Sequence, residues 1–162
     1  MQLQIVSDLH FETHKDKVYL QDYITPTGDI LIMAGDIGSM YRTRQLIHIL
    51  EQACSMFPIV IYVPGNHEYY MLPKSKPRRF STLENVMTKF KQSHDNFYFL
   101  NRSKLQIGNY LFIGATLWTN PQEFTNRIVR IHNITKERFL MRHNLDKKFI
   151  YNSLTYAKNN DL

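Results

Sequence analysis

The sequence has a single cysteine, Cys54, among 162 residues, and that scarcity excludes an intramolecular disulfide framework. It points to a reducing compartment or to indifference toward redox state. No base or cationic cluster lies near Cys54 in sequence, so the reading for it is packing on an apolar helix face rather than nucleophilic work. Long hydrophobic runs are missing too. The amino terminus, Met1-Gln2-Leu3-Gln4-Ile5-Val6, has no basic start followed by an apolar stretch, and no window reaches membrane-spanning length. A cytoplasmic, soluble protein with no membrane partner is the expectation. There is no internal repeat and no low-complexity block, which argues against solenoids and disordered tails. The net charge of +6 favours anionic partners, but it is spread along the chain without aromatic residues interleaved among the basic ones. Nucleic acid is thereby only weakly supported, and phosphorylated substrates are preferred.

With 43% apolar residues, the length suits one domain with a sizeable core, read as residues 1–162. Residues 59–63, Ile-Val-Ile-Tyr-Val, suit a strand covered on both faces, and Pro64-Gly65 stops it before Asn66-His67-Glu68. In open α/β sheets ligands gather at the carboxyl ends of the strands, so those three polar residues stand where a site is expected. Two other apolar segments end in the same manner. Residues 3–6 lead into Ser7-Asp8-Leu9-His10, where an extended backbone would put Asp8 and His10 on one side. Residues 29–34 lead into Gly35-Asp36, a close-approach glycine before a hard oxygen ligand.

Leu46, Ile49, Leu50, Ala53 and Phe57 recur at helical spacing and predict a crossover helix over 42–57. The βαβ unit so formed would bring Asp36 and Asn66 to one sheet edge. His48, on that helix, reads as a solvated or packing residue. A basic loop over 74–79 is open to two readings, contact with substrate phosphate or a solvated surface. A second helix carries Leu83, Val86, Met87 and Phe90, opened by Ser81 or Thr82, and a strand follows over 96–100. Residues 104–107 and 110–117 form a predicted hairpin about Gly108-Asn109, with Trp118 in the core. After a loop over 120–134, Thr135 caps a long helix whose stripe is Leu140, His143, Ile150, Leu154 and Ala157. His132 and His143 are read as structural.

Asp8-x-His10, Gly35-Asp36 and Gly65-Asn66-His67-Glu68, each after an apolar strand, together resemble the calcineurin-like metallophosphoesterases, whose pattern runs D-x-H, G-D, G-N-H-[DE], a later His and G-H-x-H. The resemblance covers essentially the whole chain. It implies an α/β fold of layered β-sheets flanked by helices, and hydrolysis of phosphomono- or phosphodiesters by a metal-bridging hydroxide. Two divalent cations occupy a complete family site. By resemblance Asp8 and His10 hold the first metal, Asp36 bridges both and Asn66 helps to hold the second. His67 does not ligate a metal but stabilises the transition state or protonates the leaving oxygen. Mixed oxygen and nitrogen ligands suit manganese, iron or zinc better than calcium.

The sequence departs from the family pattern twice. Gly35-Asp36-Ile37-Gly38-Ser39 lacks the second Asp that orients the general acid in many of these phosphatases. The later His and the G-H-x-H motif are absent, so the fold is expected to be incomplete at the carboxyl end, a truncated amino-terminal portion. One cation or none is then the expectation for this chain, and uncovered strand edges would favour self-association. Three functions stay open: a phosphoesterase, a non-catalytic module of the same fold that binds a partner protein, and a nuclease-like or nucleic-acid-binding member suggested only by net charge and the basic loop over 74–79.

Overall fold

The computed structural model describes residues 1–118 and 134–160. They fall into two compact units, Met1–Phe99 and Leu100–Leu162. Among the described residues no helix is long and apolar enough to cross a membrane.

The first unit is built on four parallel strands, β1 (Leu3–Val6), β2 (Ile30–Ala34), β3 (Ile59–Val63) and β4 (Phe97–Phe99), in spatial order β1-β2-β3-β4. Parallel neighbours need crossovers, and helix α1 (Thr43–Met56) joins β2 to β3 while α2 (Phe80–Gln92) joins β3 to β4. Their apolar stripes explain the packing. Leu46, Ile49, Leu50 and Ala53 of α1 are fully buried, as are Leu83 and Met87 of α2. The β-branched run of β3 behaves as a doubly covered strand, with Val60, Ile61 and Tyr62 at 1% exposure or less. The edge strand β1 differs: Leu3 and Ile5 remain exposed.

Register decides what the sheet does. Val6 pairs with Met33, Met33 with Tyr62, and Tyr62 with Phe99, so one row crosses all four strands near their carboxyl ends. The segments after Val6, Ala34 and Val63 therefore leave from one edge. They are stitched together beyond the sheet, where Asp8 N–H donates to the Gly35 carbonyl (3.1 Å), His10 N–H to Asp36 (2.9 Å) and Phe11 N–H to Ile37 (2.9 Å).

The second unit comprises an antiparallel hairpin, β5 (Ser103–Ile107) and β6 (Tyr110–Gly114), and a helix, α3 (Lys136–Asn159), that packs on β6. Gly108, with φ +55°, supplies the turn. Trp118 is 2% exposed and meets Phe139 edge to face at 4.9 Å, in keeping with the core reading. Thr135 caps α3, its side chain accepting from Arg138 N–H.

Four local expectations are corrected. β6 ends at Gly114 rather than at residue 117. Helix α2 begins at Phe80 after Arg79, with no side-chain cap, so Ser81 and Thr82 lie inside its first turn. On α3 Leu154 is exposed while Asp146 and Ser153 are buried, because the face turned inward runs through 139, 142–143, 146, 149–150 and 153. Asp8 and His10 are not extended: φ is 57° and 49°. The predicted loop over 120–134 and His132 lie largely outside the described residues, as does Thr119.

Candidate metal centre

Two glycines allow the edge loops to touch. A Cβ on Gly65 would lie 2.6 Å from the Asp36 nitrogen and 2.9 Å from its Cγ, so only hydrogen fits where the G-D loop crosses the G-N-H-E loop. Gly35, at φ +87°, has its own Cβ direction blocked by Gly65 Cα at 3.0 Å. The spacing of the two motifs is thus a packing requirement as well as a chemical one.

Beneath this crossing lies Glu68, fully buried. Its carboxylate accepts from the backbone N–H groups of Asp36 (3.1 Å), Ile37 (2.9 Å), Gly38 (3.5 Å) and Gly65 (2.9 Å). The Tyr62 hydroxyl adds a fifth donor at 2.8 Å, from within β3. Burial pushes the Glu68 carboxyl up to about 7 against the opposing pull of Tyr62 and Ile37. Tyr62, wholly buried beside that carboxylate, is raised well above the ordinary phenol range. The last residue of the motif therefore binds the loops together, while its predecessors face outward.

Asp8, His10 and Asp36 offer ligand atoms that all lie within 4.8 Å of one another. Left-handed backbone at all three, with φ of 57°, 49° and 54°, aims them inward where strand alternation would not. His10 Nε2 stands 3.9 Å from Asp8 Oδ1. Asp36 Oδ1 accepts the His67 N–H at 3.0 Å, which fixes the carboxylate orientation. Two carboxylates and an imidazole, half-exposed and sharing one approach, suit a divalent cation of mixed oxygen and nitrogen preference. Burial pulls the His10 imidazole down, but the hydrogen bond to Glu12 and the charges of Glu12, Asp36 and Asp8 raise it overall. A cation at this site would relieve the repulsion between its acids.

Asn66 sits at the start of the turn His67–Tyr69, with Nδ2 donating to the Tyr70 hydroxyl, so its Oδ1 is the ligand-type atom that remains. Burial raises the Tyr70 phenol, and the Asn66 contact opposes this. The His67 ring meets His10 edge to face at 4.5 Å and Tyr70 at 4.8 Å.

One member of the cluster lies outside the residues singled out from the sequence. Glu12, in the turn Phe11–Thr13, is 9% exposed and lies within hydrogen-bond reach of both His10 (3.0 Å) and His67 (3.1 Å). Its position two residues past D-x-H was the available hint.

The basic loop over 74–79 leads elsewhere. Arg78 lines an open cleft of about 690 Å³ together with Lys15, Lys17, Arg42 and Arg44, and none of the candidate ligands lines it. His48 lines this cleft too, while His143, in the second unit, contacts the Trp118 carbonyl.

A parallel α/β sheet whose strand ends bring carboxylates and imidazoles together defines a candidate metal-dependent enzyme of the open-sheet class. The sequence profile of the calcineurin-like phosphoesterases matches residues 1–158, and the chain belongs to that family. It is similar to an uncharacterized protein of Acanthamoeba polyphaga mimivirus, 31% identical over 130 residues, covering 75% of this chain and 45% of the relative. Its fold is similar to that of the phosphopantetheinyl hydrolase PptH from Mycobacterium tuberculosis, with a TM-score of 0.60 at 19% identity. That match covers 99% of this chain and 64% of the solved one. The chain thus spans less than half the length of the curated relative and under two thirds of the structural one.

Proposed function

We propose that this chain carries the site of a metal-dependent phosphoesterase acting on phosphomono- or phosphodiesters. The observation that carries the reading is the convergence of Asp8, His10 and Asp36 at one sheet edge, with the His67 N–H fastened to Asp36. A bound divalent cation supplies neutralisation of phosphoryl charge and a water acidified enough to attack near neutral pH. Asp8 and His10 would hold a first manganese, iron or zinc ion. Asp36 would reach toward both metal positions, and Asn66 Oδ1 would serve the second.

His67 is assigned the leaving oxygen. It lies beside the acid cluster without belonging to the Asp8, His10 and Asp36 set. The cations of Lys15, Lys17, Arg42, Arg44 and Arg78 line a separate cleft that none of the candidate ligands lines, and they give that surface a preference for anions.

Turnover of a nitrophenyl phosphodiester and the matching monoester, with manganese added and then chelated, tests the reading. Metal-dependent release of nitrophenol is expected. Absence of turnover with manganese, iron and zinc alike would overturn it in favour of a non-catalytic module, and salt-dependent RNA binding without turnover would do the same in favour of a nucleic-acid binder. His67→Asn should slow alkyl esters more than nitrophenyl esters, because the poorer leaving group needs the proton.

A further inference from the structure

We propose that Glu12 is a positioning residue that holds His10 and His67 through a single carboxylate oxygen, filling from the first motif the part left vacant by the acid missing after Asp36. Its catalytic consequence rests on the phosphoesterase reading of His67, but the geometry does not. Glu12 Oε1 lies 3.0 Å from His10 Nδ1 and 3.1 Å from His67 Nδ1. The residues that follow Asp36 supply no carboxylate, since Ile37 is apolar, Gly38 has no side chain and the Ser39 hydroxyl accepts the Tyr41 N–H.

An ionised carboxylate only accepts, so each Nδ1 must carry the hydrogen. Both rings are thereby held in the Nδ1–H tautomer, which is the minor neutral form of free histidine. The consequence for His10 is direct. Its Nε2, the nitrogen facing Asp8 Oδ1 at 3.9 Å, keeps the lone pair that a cation requires. For His67 the same bond leaves Nε2 as the nitrogen available to a substrate oxygen.

The carboxylate is itself well anchored. Phe11, fully buried, donates its N–H to the Ile37 carbonyl at 2.9 Å, and Thr13 N–H closes the turn on the His10 carbonyl at 2.9 Å. Glu12 Oε2 is buried with no hydrogen-bond partner among the described residues. A group kept at that desolvation cost is one whose other oxygen has a task.

The rival arrangement is a cation bound directly by His10, Glu12 and His67, whose ligand atoms also lie within 4.8 Å of one another. Separations of 3.0 and 3.1 Å suit N–H···O bonds already made.

The test is proton–nitrogen correlation NMR of the histidine rings of the full chain, stripped by chelation, in alkaline buffer where both rings are neutral. Nδ1–H tautomers are expected for His10 and His67 together; an Nε2–H tautomer at either ring overturns the proposal. On adding zinc, His10 should respond at Nε2, and a response at the Nδ1 atoms would establish the rival site instead. Glu12→Ala should return both rings to the Nε2–H form and weaken zinc binding by about 10–100-fold. Unchanged affinity in a folded Glu12→Ala chain would also overturn it. None of these readouts needs turnover. An inactive chain with both Nδ1–H tautomers would remove the enzyme reading and leave Glu12 as assigned.

Discussion

Among the described residues each of the two units buries one carboxylate completely, and the two are satisfied in different ways. In residues 1–99 Glu68 is surrounded by four backbone N–H groups and the Tyr62 hydroxyl. In residues 100–162 Asp146 receives a side-chain partner, Arg102 Nη1 at 2.9 Å, and its second oxygen has no hydrogen-bond partner among the described residues. Backbone donors tie the acid to the path of the chain, so Glu68 dictates where Asp36, Ile37, Gly38 and Gly65 lie. A side-chain partner constrains only the two elements that carry it. The surroundings match this division: the first unit holds most of the buried apolar side chains, whereas α3 leaves Met141, Leu145, Tyr151, Leu154 and Tyr156 exposed. The unit with the candidate site is the one whose backbone is pinned.

The largest effect is expected at Glu68. Glu68→Ala strands several buried donors at once and is expected to cost about 5 kcal/mol or more, with loss of metal retention. Urea unfolding followed by circular dichroism measures the cost, and a loss under 1 kcal/mol would deny Glu68 its organising place.

Asp146→Ala should cost less, about 3 kcal/mol, because Arg102 is 27% exposed and regains water when its partner is lost. Hydrogen exchange should rise in α3 and the hairpin. Equal losses from the two variants would erase the distinction between backbone and side-chain pairing.

Within the site, Asp36→Asn should lower bound metal more than Asp8→Asn does. Asp36 is the carboxylate proposed to reach both metal positions and is held by the His67 N–H, whereas the Asp8 side chain is 67% exposed. Elemental analysis of the two variants beside the parent decides the matter, and equal metal content would sink the bridging assignment.

The smallest effect is expected at Cys54. Cys54, the sole cysteine, belongs to α1 of the first unit, where burial, with Glu51 nearby, pushes its thiol up to about 11. Alkylation at neutral pH should be slow in the native chain and fast in urea, reporting the opening of the first unit alone. Rapid native labelling would mean that α1 is less firmly packed than its buried stripe indicates.

Much of the fold was legible because its signals are local. Apolar β-branched runs ending in Pro-Gly or Gly-Asp marked β2 and β3, and the stripe over 46–57 marked α1, since each pattern records a face that must be buried. α3 was legible in extent but not in facing. Its inward side includes Asp146, whose burial depends on an arginine 44 residues earlier, which no helical period records.

The candidate site divides in the same way. The residue types and their order along the chain, Asp8 and His10, then Asp36, then Asn66 and His67, were set by the sequence, together with the parallel crossovers that return each strand end to one edge. Only the tertiary structure decided how those residues meet. The left-handed backbone at Asp8, His10 and Asp36 is stabilised by bonds between loops 27 residues apart, as from Asp8 to Gly35. Glu12 finds His67 across 55 residues. Such contacts are selected by the packing of Gly35 on Gly65 and by the burial of Glu68, interactions that exist only once the strands are in register, and so they leave no period or spacing in the chain itself.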